Sequence, residues 1–129
     1  MKFSIITTTY NSAQTIFKCI SSLKNQTYKN IELIWIDNSS KDSTYKILNK
    51  YKNRNTKLIK VKNKSISEAW NIGIKKSSGD IIGFLNSDDI LSNKNIIKKI
   101  SNTFKSKKCN VVYTDINYVN KNGKIIRNW

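Results

Sequence analysis

The stretch Gly79-Asp80-Ile81-Ile82-Gly83-Phe84-Leu85-Asn86-Ser87-Asp88-Asp89 decides how the chain is read. Ile81 to Leu85 makes a buried strand that runs out of apolar residues and ends in an Asn-Ser-Asp-Asp cluster with strong turn chemistry. Two neighbouring carboxylates at the lip of a sheet repel each other unless a metal ion, a basic partner or water offsets the charge. Taken alone, the cluster reads equally as a polar turn ahead of a helix capped at Ser92 or Asn93. The residues upstream decide between the two.

Working outward, Phe3 to Thr9 is a β-branched run and a first strand, broken by Tyr10-Asn11-Ser12. Asn11 with Gln14 resembles a capping box, and Ala13, Ile16, Phe17, Ile20 and Leu23 recur at helical spacing. Ile31 to Asp37 is a second strand ending in a carboxylate, with turn and cap residues at Asn38 to Asp42 and a second helix carrying Tyr45, Leu48 and Tyr51. A third strand covers Leu58 to Val61, and Ser65 with Glu68 opens a third helix that closes near Gly79. The acidic strand is therefore the fourth. A helix with Ile96, Ile97, Ile100 and Phe104 follows, then a fifth strand over Val111 to Val119 and an Asn122-Gly123 turn into Ile125-Ile126. Alternating strands and helices predict an α/β fold: a Rossmann-like, doubly wound, mainly parallel sheet with helices on both faces, in one domain over residues 1–129.

Composition limits the chemistry. At 129 residues and 38% hydrophobic content the chain can bury a core. It contains no histidine, which removes imidazole bases, histidine-dependent nucleophiles and most zinc sites, so acid–base work falls to eight carboxylates. Cys19 and Cys109 lack a pairing pattern and read as reduced thiols of a cytoplasmic protein, in keeping with a start that lacks a signal peptide's apolar core. The net charge of +16 comes from 22 Lys and only 2 Arg, beside 18 Asn. Arginine supplies the forked contacts that read phosphates and guanines, so the balance favours a solvated lysine surface, and nucleic acid is not expected as a partner. A lysine-rich face suits peripheral contact with an anionic membrane, and an exposed sheet edge would favour a homo-oligomer.

In doubly wound sheets, ligands sit beyond the carboxyl ends of the strands. Those ends carry Thr8-Thr9-Tyr10-Asn11, Asp37 and Asn86-Ser87-Asp88-Asp89. An aromatic ring to stack on a base, a carboxylate to accept from a base or ribose, and acids to hold a divalent ion against phosphates together fit a nucleotide diphosphate. Each has a plainer reading as a staple, a turn cap or a polar turn. No G-x-G-x-x-G follows the first strand and no P-loop occurs.

The ordered set Ser4-Ile5-Ile6-Thr7-Thr8-Thr9-Tyr10-Asn11, Asn25-Gln26-Thr27-Tyr28 with Ile31-Glu32, Ile36-Asp37-Asn38-Ser39-Ser40-Lys41-Asp42-Ser43-Thr44, Ala69-x-Asn71-x-Gly73-Ile74 and Ser78 to Asp89 resembles the family 2 glycosyltransferases. That resemblance implies a GT-A fold and inverting transfer of a sugar from a nucleotide diphosphate donor, foremost a UDP-sugar, to a polysaccharide or lipid-linked glycan, with Mn²⁺ or Mg²⁺. By the same resemblance Thr8, Tyr10, Asp37, Asn71 and Asn86 bind the nucleotide, Asp88 is the metal ligand in the D-x-D position, and Asp89 stands beside it near the donor sugar.

The chain departs from the family pattern at several points. Asn86 replaces the first acid of D-x-D, and Trp70, read as a core aromatic, stands where many members carry a basic residue. Glu68 sits where relatives often place an acid, yet it also completes a capping box. Family catalytic domains continue into an acceptor segment with the general base, so the likeness covers the donor half; Asp115 is the one acid after Asp89 and the late candidate for the base. Alternatives are a catalytically silent nucleotide-binding module or a truncated remnant, and a basic nucleic-acid binder resting on charge alone.

Overall fold

The computed structural model describes residues 1–128. It divides into two compact units, residues 1–98 and residues from Lys99 onward. The first unit holds β1 (Phe3–Thr9), α1 (Ile16–Lys24), β2 (Ile31–Asp37), α2 (Thr44–Tyr51), β3 (Thr56–Lys60), α3 (Ile66–Lys76) and β4 (Ile81–Phe84). Its four strands are parallel in the order β3-β2-β1-β4, flanked by helices. The first three strands wind one way from β1, and the α3 crossover then returns the chain to the other side of β1. The reversal lies between β1 and β4.

Period-two alternation sorts the central strands into two faces. Ile6, Ile34 and Ile36 pack with Ala69 of α3, joined by Ile59, Trp70 and Ile72. Residues of opposite parity, Phe3, Ile5, Leu33 and Trp35, are also buried, so β1 and β2 are covered on both sides, as parallel strands require. Gly73 lies so close to Ile6 that a Cβ there would approach Ile6 Cγ2 to 2.6 Å, which is why the α3 crossover carries glycine at this turn.

At the amino edge one carboxylate reaches all four strands. Glu32 of β2 accepts from Ser4 Oγ of β1 at 2.6 Å, from the N–H and Oγ of Ser78 ahead of β4, and from the ammonium groups of Lys2 and of Lys57 on β3 at 3.2 and 3.3 Å. Burial disfavours the charge, but hydrogen bonds from Ser4, Ser78 and Lys2 outweigh it and hold the Glu32 carboxyl down at about 2.

Several elements differ from expectation. Helix α1 begins at Ile16, not after Asn11, because Asn11 takes a left-handed φ of 48° and its side chain accepts from the N–H of Lys41. Phe17 is outside the apolar face, half exposed and in ring contact with Tyr51. Among the described residues strand β4 pairs with β1 alone and forms an edge of the sheet, with Ile82 and Phe84 exposed, so the expected buried strand is half covered. The fifth strand shrinks to β5 (Asn117–Val119), which forms a separate antiparallel pair with β6 (Ile125–Asn128) in the second unit; residues 111–116 take no regular structure. Local closure won there: Gly123 at φ 78° completes the tight turn, and Asn120 Oδ1 accepts from the N–H groups of Asn122 and Lys124. The division between units falls inside α4 (Ile96–Ser106). Among the described residues no helix is long and apolar enough to cross a membrane.

The Glu32 network sets an acid limit on stability. A carboxyl lowered in the folded state stabilises above its ordinary value of 4.5, and that contribution is lost as pH falls toward about 2. The difference amounts to about 3 kcal/mol. Melting temperatures of wild type and Glu32→Gln, measured from pH 6 to pH 2, are expected to converge across this window, with the variant less stable at pH 6. Parallel curves would contradict the assignment.

Candidate functional site

A cavity of about 370 Å³ opens at the carboxyl edge of the sheet, where the strand order reverses. The end of β1 contributes Thr8, Thr9, Tyr10 and Ser12, and the end of β4 contributes Asn86, Ser87 and Asp88. Asn38 enters after β2, while Lys64, Ser65, Ile66 and Ala69 bring in the start of α3.

The loops around this cavity are bonded to one another. After β1, Asn11 N–H donates to Ser40 Oγ, Ser12 N–H to Thr44 Oγ1 and Ala13 N–H to Asp42, while Lys41 N–H returns a bond to Asn11 Oδ1. Asp42 also accepts from the hydroxyl and N–H of Thr44, and these bonds, Thr44 first, hold its carboxyl below the usual range. Ser12 and Ser87 share a hydroxyl hydrogen bond of 2.9 Å, which joins the β1 and β4 loops across the reversal. Beneath them the Cys19 thiol donates to the carbonyl of Asn86 at 3.4 Å, and burial pushes that thiol up to about 12.

The acidic cluster is open to solvent. Asp88 lines the cavity and is exposed, as are Asn86 and Asp89. Asn86 Nδ2 donates to Asp89 Oδ2 at 3.0 Å, and Asp89 N–H closes the turn on the Asn86 carbonyl. The amide in the first position of D-x-D therefore orients Asp89, the acid that follows the motif. Among the described residues no group of three His, Cys, Asp or Glu side chains could enclose a metal. Asp88 and Asp89 offer carboxylate oxygens alone, a donor set suited to a hard divalent ion that keeps water and takes ligand oxygens for the rest of its shell.

Asp37 lies elsewhere. It is fully buried, with its two oxygens taken by Thr9 Oγ1 at 3.0 Å and by the hydroxyl and N–H of Ser40 at 2.5 and 3.0 Å. Strand alternation sends its side chain to the face opposite Thr8 and sets the next residue, Asn38, into the cavity. Asn38 clasps the backbone of Lys64, donating to its carbonyl at 2.7 Å and accepting from its N–H at 3.1 Å. Each amide atom keeps further hydrogen-bonding capacity. Asp37 is thus enclosed, and Asn38 is the residue after β2 that lines the cavity.

Lys64 is the cation among the lining residues, and its ammonium rests 3.3 Å from Glu68 Oε1. Glu68 completes the capping box with Ser65, whose hydrogen bonds, with that of Lys64, hold the Glu68 carboxyl below its ordinary value. The positive end of α3 thus faces the cavity. Asn71 is exposed on α3 outside the lining residues, and Trp70 packs on the α3 face of the sheet against Phe84. Asp115 belongs to the second unit, exposed and ahead of β5. Of the expected residues, the fold gathers Thr8, Tyr10, Asn86 and Asp88 at one cavity, with Asp89 hydrogen-bonded beside them.

The chain is similar to known proteins in sequence and in fold. The family model described as "Glycosyl transferase family 2" matches residues 4–128. UDP-Glc:alpha-D-GlcNAc-diphosphoundecaprenol beta-1,3-glucosyltransferase WfaP of Escherichia coli is 42% identical over 102 residues, covering 77% of this chain and 38% of that protein. A glycosyltransferase of Haemophilus influenzae is 40% identical over 101 residues, 76% of this chain and 40% of its own length. The crystal structure of S. aureus TarS residues 1–349 in complex with UDP-GlcNAc superposes with a TM-score of 0.76 at 31% identity, over 82% of this chain and 32% of that one. The chain spans about two fifths of the two relatives named here.

The buried, protonated Cys19 generates a direct test. At pH 8 a thiol reagent is expected to leave Cys19 unmodified in folded protein and to modify it once guanidinium unfolds the chain, as peptide mapping reads out. Modification of Cys19 in the folded state would contradict the seating of the Asn86 loop.

Proposed function

The chain belongs to glycosyl transferase family 2 and has the GT-A fold, and from that premise we propose that its cavity binds a nucleotide diphosphate sugar, foremost a UDP-sugar, as donor for inverting transfer to a polysaccharide or lipid-linked glycan. The observation that carries this reading is the meeting of Thr8, Tyr10, Asn38 and Asp88 at the strand-order reversal. The donors in the names of WfaP and of the TarS complex, UDP-Glc and UDP-GlcNAc, support the choice of uridine.

Each group has a part in that reading. The Tyr10 ring, 57% exposed, is free to stack on the base. Asn38 offers amide hydrogen bonds to the base edge, and Asp37 acts one layer below by fixing Thr9 and the Ser40 turn. The α3 amino end and Lys64 stand near the diphosphate, where positive charge is needed. Asp88, with Asp89 held by Asn86, would take Mn²⁺ or Mg²⁺ together with diphosphate oxygens and water. A bound ion supplies neutralisation of charge on the leaving diphosphate as the glycosidic bond breaks. Thr8 completes the wall beside the base, and Asn71 is assigned to the same donor. For the acceptor proton we assign Asp115, the acidic side chain that follows Asp89 in the sequence.

Calorimetric titration of UDP with and without Mn²⁺ tests the site. Binding is expected to require the ion, to weaken at least about tenfold in Asp88→Ala, and to weaken in Asn38→Ala with its metal dependence intact. Affinity that is equal with and without Mn²⁺ and unchanged in Asp88→Ala would refute the donor site. Metal-dependent binding without product from a UDP-sugar would reduce the protein to a binding module.

A further inference from the structure

A second cleft, of about 310 Å³, lies at the opposite edge of the same sheet, where β1, β2 and β3 begin. Four cations, Lys2, Lys29, Arg54 and Lys57, line it against one carboxylate, Glu32, a surplus of three positive charges. It is separated from the donor cavity by the length of the strands, roughly 20 Å at about 3.3 Å per residue. None of the groups assigned to the donor site lies in it.

The carboxylate cannot satisfy these cations. Glu32 already accepts from the hydroxyls of Ser4 and Ser78, the Ser78 N–H, Lys2 and Lys57. Lys2 and Lys57 each give one further hydrogen bond, to Ser78 Oγ and the Lys76 carbonyl, which leaves each ammonium a spare donor. Lys29 donates once, to the Gln26 carbonyl, and keeps two. Arg54 makes no hydrogen bond or ion pair to any described residue, so all five of its N–H donors are available. A forked guanidinium beside three ammonium groups in one concavity calls for an oxyanion with several acceptor oxygens. Arg54 is also one of only two arginines in the chain, beside 22 lysines.

We propose that this cleft binds a phosphate group, either of a soluble ligand or of an anionic lipid head. Glu32 holds Lys2 and Lys57 in place, and Lys29 and Arg54 supply the charge that remains uncompensated. The proposal does not depend on the donor site.

The test is a titration of the full chain with sodium pyrophosphate at low salt, followed by amide ¹H–¹⁵N spectra. Shifts are expected to centre on residues 29–32 and 54–57, to persist in Asp88→Ala, and to weaken in Kd by at least about tenfold in Lys29→Glu/Arg54→Glu. Arg54→Gln, which removes the charge without reversing it, should give a smaller loss. Both positions are exposed, so the variants are expected to keep the wild-type melting temperature. Shifts confined to residues 8–12 and 86–88, or a Kd unchanged in the double variant, would overturn the proposal. Sedimentation with phosphatidylcholine vesicles, with and without phosphatidylglycerol, identifies the source. Binding that needs phosphatidylglycerol and is lost in the double variant marks a lipid head group. Pyrophosphate binding without vesicle binding marks a soluble phosphate. Vesicle binding that survives the double variant belongs to other lysines and counts against the cleft.

Discussion

The carboxylate of Glu32 is the interaction on which the sheet depends. It sits on β2, yet its hydrogen bonds and ion pairs reach β1 through Ser4, the residue ahead of β1 through Lys2, β3 through Lys57 and the entry to β4 through Ser78. A nearly enclosed charge is tolerated only when its oxygens are satisfied, and here five donors converge on two oxygens. Gly79 adds a steric condition at the same point, since a Cβ there would approach the backbone of Lys2 and Ser4 to 2.8 and 2.7 Å. The strands are thus held in register at their amino ends. In a parallel sheet that register determines which residues emerge together at the other edge.

What emerges is a set of loops that bond to one another more than to the core. Three successive N–H groups after β1 find acceptors in the loop after β2, and the Ser12–Ser87 bond closes the circuit to the loop after β4. Such mutual bonding satisfies loop backbone that would otherwise need water, and it fixes the cavity walls before any ligand arrives. The two edges differ in charge balance. At the carboxyl edge Asp88 shares the cavity with Lys64, whereas at the amino edge four cations line a cleft with one carboxylate.

Much of this was legible in the sequence because local and tertiary preferences agree. The β-branched run Phe3 to Thr9, the apolar run ending at Asp37 and the Ser65–Glu68 capping box each formed within a residue of where periodicity and cap chemistry put them. The family likeness, carried by ordered motifs, also held. The rest was hidden for identifiable reasons. Asn11 resembles a cap in composition, but its left-handed backbone serves a turn that only the β2 loop explains. Asp37 and Asn38 are adjacent and both polar, and only the pairing of Thr9 with Asp37 reveals which one faces inward. The exposure of Ile82 and Phe84 depends on β4 lying at an edge, which no residue pattern announces. Val111 to Val119 has strand propensity throughout, yet a strand also needs a partner, and only Asn117 to Val119 found one.

The proposed seat of a nucleotide donor is the strand-order reversal, and not another cleft of the chain. A crystal structure of the protein grown with UDP and Mn²⁺ tests it most directly. The uracil is expected against Tyr10 and Asn38, with the ion on Asp88 between the diphosphate and the Asn86–Asp89 turn. Nucleotide density away from that cavity, or at it with Asp88 turned from the phosphates, would rule this seat out.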